Sequence, residues 1–440
     1  MSLFYLFSSP RTTSFFKKKL RYFEHFSLQT YSEGGPAVNI AGIVAEYNPF
    51  HTGHRYQLRQ TRALSGEDTG VIAVMSGNWV QQANCAVADK WTRARLALMG
   101  GADLVLELPT VWATASAEGF CQGAVDVLIA TGVVDTLSFG SECGDVDRLE
   151  QVASCLSSEA YQSQLKALLS SGLPFAACRQ KAVEILLGQE MADLLATPNN
   201  NLGIEYIRAL KLRGSSIRPV TVLRRGAAHN SIEEGKPDFL SATQIRRDLN
   251  AGVWETAQDY LIPGSREILE ASSIPSLDRA ERVLLARMRS MSAQDWAKLP
   301  DSGAAEGLPQ RLEKAGRQCT SISEFLEAVK TKRYTHARLR RLLLWLYLGI
   351  TTQDRPDHPL YLRVLGFNER GREILARMRK EASLPILTKP AHARDLDEEG
   401  RALFELEARC TDLYDLCLET VPSPGREWTQ GPVILKQEGI

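Results

Sequence analysis

The chain has 440 residues, 44% of them hydrophobic and 24% charged, with 52 basic side chains balancing 52 acidic ones. That length and apolar content suit two or three domains with real cores, and exclude a small disulfide scaffold, a collagen-like repeat or a wholly disordered chain. Zero net charge argues against a polyanion binder over the whole surface but leaves room for a local basic face. Met1 to about Ala37 reads as an unstructured extension. Its apolar core is too short for a signal peptide, and the Lys17-Lys18-Lys19 charges follow that core instead of preceding it. Val38 is an alternative starting point, since a strand follows at once.

From Ile40 the pattern is α/β. Short apolar runs at Ile40–Tyr47, Val71–Met75, Asp103–Leu108 and Thr136–Phe139 predict buried parallel strands. Helical stretches lie between and after them, at His54–Ser65, Asp89–Met99, Ser116–Ala130 and Val146–Ser157. Two further helices, Ala176–Gly188 and Leu202–Arg213, precede a fifth strand at Pro219–Leu223. This alternation predicts a doubly wound, Rossmann-like α/β domain over residues 38–270. Past Leu277 the strands vanish and 3.6-residue periodicity takes over, so residues 271–440 are expected to be a mainly helical domain. Whether Leu360–Lys389 holds a short α/β element is left open. The longest apolar run, Leu342–Ile350, is about half of a membrane span, so no membrane is expected. Eight scattered cysteines with no CxxC pair point to buried thiols in a reducing compartment, with the cytoplasm as the default.

The strongest motif is Asn48-Pro49-Phe50-His51-Thr52-Gly53-His54, directly after the first strand. Strand, HxGH turn and helix together put two imidazoles and several backbone N–H groups at a carboxyl end of the sheet. Open α/β sheets bind ligands there, and a helix N-terminus favours phosphate. The competing reading is a surface histidine pair or half a metal site. A metal would need a third ligand, for which His229 is the available candidate, and no metal centre is expected. A second motif, Ser241-Ala242-Thr243-Gln244-Ile245-Arg246-Arg247, opens a later helix. Its Ser and Thr are ordinary caps, while Arg246 one turn in offers a fork for phosphate oxygens. Phe139-Gly140-Ser141-Glu142 ends the fourth strand, which puts Gly140 within reach of a bound nucleotide, while Thr197–Gly203 and Leu223–Ala227 read singly as turns or caps. In these, Asn199 or Asn200 either caps a helix or reads a nucleobase.

Together HxGH and Ser/Thr-x-x-Ile-Arg resemble the signatures of the HxGH nucleotidyltransferase superfamily. VAEYNPFHTGH, MSGNWVQ, DKWTRARLAL, GGADLVLELP, FGSE, PNNNLGIEY, RRGAAH and SATQIR are similar, more closely, to the bacterial tRNA(Met) cytidine acetate ligase family. The resemblance spans roughly Val38 to Ile440. It implies an enzyme that uses ATP to turn acetate into acetyl-adenylate and acetylates N4 of the wobble cytidine of elongator methionine tRNA. It implies an ATP site made of Val44, Ala45, Glu46, Tyr47, Asn48, Pro49, Phe50, His51, Thr52, Gly53, His54, Arg55, Tyr56 and Gln57, joined by Gly140, Asn200 and Arg225. His51 and His54 are then donors to the phosphates, Arg225 and Arg246 are clamps on them, and Mg²⁺ travels with ATP. The chain departs from the family at Gln82-Ala83-Asn84-Cys85, where relatives typically carry an Arg-Gly-Glu-Pro-like turn.

The expected tRNA contact lies between Lys330 and Arg341. That stretch carries Lys330, Lys332, Arg333, Arg338, Arg340, Arg341, His336 and Tyr334 without an acid, which suits a phosphate backbone and one stacked base. A solvated helix face is the plain alternative, and Arg363, Arg370 and Arg372 are the next candidates. Two other functions remain open on sequence alone. One is a nucleotidyltransferase acting on a phosphorylated metabolite; the other is a non-catalytic RNA-binding protein on the same fold.

Overall fold

A computed structural model describes residues 39–170, 174–224, 239–303, 307–331 and 334–436. The expected extension at 1–37, together with Arg225, His229, Lys332 and Arg333, lies outside the described residues.

The first strand, β1 (Ile40–Ala45), is followed by helix α1 (Thr52–Ser65) and strand β2 (Gly70–Ser76). A small hairpin, β3 (Trp79–Val80) and β4 (Asn84–Cys85), leads into α2 (Lys90–Met99) and β5 (Leu104–Leu108). Then come α3 (Ala117–Ala130), β6 (Thr136–Ser141), α4 (Val146–Leu156), α5 (Glu159–Leu169), α6 (Phe175–Leu187), α7 (Pro198–Leu212), β7 (Arg218–Leu223) and α8 (Ala242–Asn250). Between 277 and 348 the described residues are mainly helical, with α9 (Glu281–Ser290), α10 (Leu308–Gln318), α11 (Ile322–Val329) and α12 (His336–Leu348). The chain ends with β8 (Leu362–Phe367), α13 (Glu369–Glu381), β9 (Ile386–Leu387), α14 (Glu398–Asp415), α15 (Arg426–Thr429) and β10 (Val433–Ile434).

Strand order is β10-β8-β5-β2-β1-β6-β7. The five strands from β5 to β7 are parallel, and the inner four are nearly continuously buried as parallel strands are, while β7 at the edge is partly exposed. The order reverses around β1, which pairs with β2 on one side and β6 on the other. A crevice opens at the carboxyl ends of strands at such a point. Alternate residues feed two cores. Val71, Ala73 and Met75 pack with Leu58 of α1 and Trp91, Ala94 and Leu98 of α2. Ile72 and Val74 pack on the opposite face with Phe120 and Val125 of α3 and Ile374 and Met378 of α13.

The sequence reading placed a boundary near residue 270. The described residues from Asn39 on cluster as one unit, and the second core runs on without a break into Leu284, Trp296, Leu312 and Leu343 of the helical part. The element left open at 360–389 is β8, which adds antiparallel to β5 and extends the sheet. Among the described residues, no helix is long and apolar enough to cross a membrane.

A buried ion cluster joins this late strand to the early ones. Lys90 Nζ lies 2.7 Å from Glu107 Oε1 and also pairs with Glu427, all three side chains being almost fully buried. Burial works against the ammonium, but Glu107, Glu427 and Glu407 together hold its pKa above the ordinary value. Glu407 is bonded at both oxygens by Thr110 and is pushed up to about 8 by burial and the nearby Glu107. Removing one partner of a buried pair leaves uncompensated charge, a loss of about 3–5 kcal/mol. Lys90→Met should therefore lower the unfolding free energy measured by urea titration by an amount of that size, whereas a change below about 1 kcal/mol would mean the carboxylates accommodate its loss.

Candidate active site

The turn after β1 is held from several sides. Arg93 of α2, fully buried, donates to Glu46 O (2.6 Å), Ser76 O (3.0 Å), Ala88 O (2.9 Å) and Gly77 O. Asn48 Oδ1 accepts from the Val87 N–H at 2.7 Å. Tyr47 and Phe50 meet edge to face at 4.8 Å, and Phe50 fills the space where a side chain at Gly100 would stand. The chain then enters α1 with its two histidines already placed.

His51 is the N-cap of α1, and its Nδ1 accepts from the Gly53 N–H at 3.1 Å. His54 Nδ1 in turn accepts from the His51 N–H at 3.3 Å. The rings stack with centroids 3.8 Å apart. A Cβ on Gly53 would lie 2.9 Å from the His51 ring, so glycine is needed here for space. With each Nδ1 used as an acceptor, each imidazole carries its proton on Nε2. Burial, with Arg224 and Arg246 nearby, lowers the His51 pKa to about 3. Burial, His51 and Arg224 hold His54 well below its ordinary value. Both are neutral Nε2–H donors at physiological pH.

Arg246 reaches this turn from α8, whose N-cap Ser241 accepts from the Gln244 N–H. Its Nη1 donates to Asn48 O at 2.7 Å, and its Nη2 to Gln82 Oε1 and Thr243 Oγ1, both at 3.2 Å. Gln82 belongs to the departing turn noted above. In it, Ala83 closes the three-residue β3–β4 loop with φ 57°, the left-handed conformation such a loop requires.

On the other flank, Gly140 ends β6 with Arg224 packed 3.3 Å from its Cβ direction. Arg224 also donates to Asn199 Oδ1 and lowers the pKa of both histidines, which ties the β6 edge to the HxGH turn. Asn200 is buried, and its Oδ1 accepts from the Glu142 and Cys143 N–H groups at 3.0 and 3.2 Å. Glu142 is gripped in return by the Asn199 side chain and by the Asn199 and Asn200 amides. Burial pushes its carboxyl up, but these hydrogen bonds outweigh that and hold it below the ordinary range.

Val44, Ala45 and Glu46 at the end of β1 and Thr52, Arg55, Tyr56 and Gln57 on the first turns of α1 are partly exposed along the same edge. Sequence reasoning named Arg225 from the Arg-Arg-Gly run. The described member of that pair is Arg224, which stands at the site. Arg93 and Glu142 were also passed over as organisers, although each stood in a quoted motif.

Residues 38–427 match the family model described as HIGH Nucleotidyl Transferase. The tRNA(Met) cytidine acetate ligase of Thermoanaerobacter sp. (strain X514) is 38% identical over 401 residues, covering 89% of this chain and 98% of that protein. The protein of the same name from Caldanaerobacter subterraneus subsp. tengcongensis is 40% identical over 386 residues, covering 85% and 94%. The chain belongs to the tRNA(Met) cytidine acetate ligase family. Thermotoga maritima TmcAL bound with alpha-thio ATP superimposes with a TM-score of 0.83 at 36% identity, covering 91% of this chain and all of that one. Its apo form gives 0.85 at 37% identity.

The basic stretch expected to meet RNA is only partly available. Tyr334 is buried, so it offers no face for a stacked base. Arg338 donates to Asp301 O and Arg341 pairs with the Asp301 carboxylate, both at 2.9 Å, while Lys330 and Arg340 stay exposed. Arg363 is a correction: it is buried beside Glu427 at 3.4 Å and faces no partner.

The tautomers are directly observable. Two-bond ¹H–¹⁵N spectra should show His51 and His54 as neutral Nε2–H imidazoles that do not titrate between pH 8 and 5. Because His51 falls to about 3 from 6.5, the unfolded chain binds the proton first as pH drops. Stability contributed by this histidine is thus present above about pH 6.5 and is lost progressively below it. A titration of either ring near its ordinary value would overturn the assignment.

Proposed function

We propose that the protein activates acetate with ATP to acetyl-adenylate and transfers the acetyl group to N4 of the wobble cytidine of elongator methionine tRNA. The observation that carries this reading is the pair of stacked, neutral Nε2–H imidazoles at the N-terminus of α1, with Arg246 laid across the preceding turn. Acetate is a poor acyl donor because its leaving group would be hydroxide. Attack of its carboxylate on the α-phosphorus of ATP displaces pyrophosphate, and charge gathers on the phosphate oxygens as it does so. Donors fixed in advance at that point stabilise the transition state more than the ground state. His51 and His54 supply two such donors without their own charge changing, and Arg246 and Arg224 supply positive charge beside them. In the second step the cytosine N4 amine attacks the acyl carbon and AMP leaves.

Among the described residues, no cluster of three His, Cys, Asp or Glu is suited to hold a metal ion. Mg²⁺ would accompany the nucleotide and neutralise its phosphates. A tRNA substrate supports a cytoplasmic location. The metabolite nucleotidyltransferase reading shares the two signatures, and it separates from this one by its acceptor. An ATP–pyrophosphate exchange that requires acetate supports the ligase; exchange indifferent to acetate sinks it.

His51→Ala or His54→Ala should lower acetyl-adenylate formation by about 10² to 10³, as when one oxyanion donor is removed, with a smaller effect on ATP affinity. Near-wild-type pyrophosphate release in either variant would refute the role given to the imidazoles. For the RNA, replacing Lys330 and Arg340 together by Gln should weaken tRNA binding and flatten its salt dependence by roughly one unit of slope per lost phosphate contact. An unchanged slope would put the tRNA on another face.

A further inference from the structure

The transfer step releases a proton that neither histidine takes up. Each imidazole has its Nδ1 lone pair engaged and its Nε2 already protonated. The cytosine amine is a weak nucleophile because its lone pair is delocalised into the ring. Its N–H turns acidic only as the bond to the acyl carbon forms, and a base at that point lowers the barrier.

Two carboxylates flank the HxGH turn, at the ends of β1 and β6. Glu142 is committed: Oε1 accepts from the Asn199 amide and side chain and Oε2 from the Asn200 amide, so both oxygens are engaged by the turn. Glu46 is placed differently. It directly follows β1, mostly buried but partly accessible at the carboxyl edge where the strand order reverses. Its main chain is fixed by Arg93, and Oε1 accepts from the Gln81 N–H at 2.8 Å. Among the described residues, that is the one hydrogen bond its carboxylate receives. An anchored carboxylate with an uncommitted oxygen, at the strand ends beside the HxGH turn, is what proton transfer needs.

We infer that Glu46 is the general base of the transfer step, taking the N4 proton through Oε2 as the amine attacks. This rests on the acetyl-transfer reading above. The N4 electron pair forms the N–C bond, and the bond from the acyl carbon to the phosphate oxygen breaks. AMP leaves with that electron pair, and the proton passes to Glu46 and then to solvent. The charged and titratable groups facing Glu46 are Arg246 from α8, Arg93 from α2 and Tyr206 from α7. Burial raises its carboxyl pKa against the pull of the Gln81 N–H and the two arginines, so its carboxylate is more basic than an exposed one. The contrast with Glu142 is the pattern expected when two nearby carboxyls have different duties.

The test is single-turnover acetyl transfer to tRNA from enzyme-bound acetyl-adenylate, followed from pH 5 to 8.5. Wild-type transfer should rise with pH and level off once Glu46 is ionised. Glu46→Gln keeps an acceptor for the Gln81 N–H but removes the base. It should lower transfer by about 10²-fold, abolish the rising limb and impair acetyl-adenylate formation far less. Glu46→Asp, with a shorter reach, should keep the limb at an intermediate rate. Two results overturn the inference: a rising limb that survives in Glu46→Gln, or equal losses in both half-reactions, which would make the carboxylate an anchor for the hairpin. A wild-type protein without acetate-dependent pyrophosphate exchange would instead refute the functional reading itself. Proficient wild type beside proficient Glu46→Gln would refute only the assignment of the base.

Discussion

One guanidinium holds together the loops that leave the two central strands. Arg93 spends its fork on four carbonyls from three different segments: the end of β1, the end of β2 and the approach to α2. Carbonyls at strand ends have no ladder partner, and burying them unpaired is costly. Burial lowers the Arg93 pKa, with Tyr414, Asp89, Glu46 and Glu107 pulling the other way. A guanidinium nevertheless stays charged in proteins, and its planar fork suits diverging acceptors as a lysine would not. The start of the HxGH turn, the entry to the β3–β4 hairpin and the main chain of Glu46 are thereby tied to one side chain, and the other contacts build on that tie.

The electrostatics of the site follow from which groups are left charged. The two imidazoles are buried in their neutral form, so they add hydrogen-bond donors without adding cations that would have to be desolvated. Positive charge comes instead from Arg224 and Arg246, both at the rim of the turn. Ordinary histidines half-protonated near neutrality would make such a site change its charge with small changes of pH. Burial removes that sensitivity, and the Nδ1 acceptor bonds fix which nitrogen points away from the backbone.

Much of this was legible in the sequence because it is local. The five parallel strands announce themselves as short apolar runs, and the Pro and HxGH that join the first strand to its helix fall within the ten residues from Ala45 to His54. What was not legible depends on partners far along the chain. Leu362–Phe367 hides a strand because its buried arginine reads as a surface charge, and the carboxylate that compensates it, Glu427, lies more than sixty residues later. The same blindness made Arg363 a candidate for RNA and gave Tyr334 a stacking face it lacks. Arg225, adjacent to Arg224 and chemically identical to it, lies outside the described residues. Ala83 stands where the family resemblance expects glycine, and the structure gives the reason for that expectation: a left-handed residue closing a three-residue hairpin loop.

That hairpin is where the altered residues and the late part of the chain meet. On one side Gln81 and Gln82 contact Glu46 and Arg246. On the other, Trp79 Nε1 donates to Cys410 O, Tyr414 donates to Ala86 O, and Asn78 bonds Thr411, all three partners lying on α14. Trp79 also meets the rings of Tyr347 and Tyr414 edge to face. A hairpin of two residues per strand has no stability of its own. Its geometry is therefore set by these flanking contacts more than by its sequence. Substitutions at Gln82 to Cys85 are tolerable for the same reason, provided that the buried contacts on the α14 side persist. The constraint runs both ways. The C-terminal segment completes the sheet through β8, and through Trp79 and Tyr414 it also fixes the loop that supports Glu46 and Arg246.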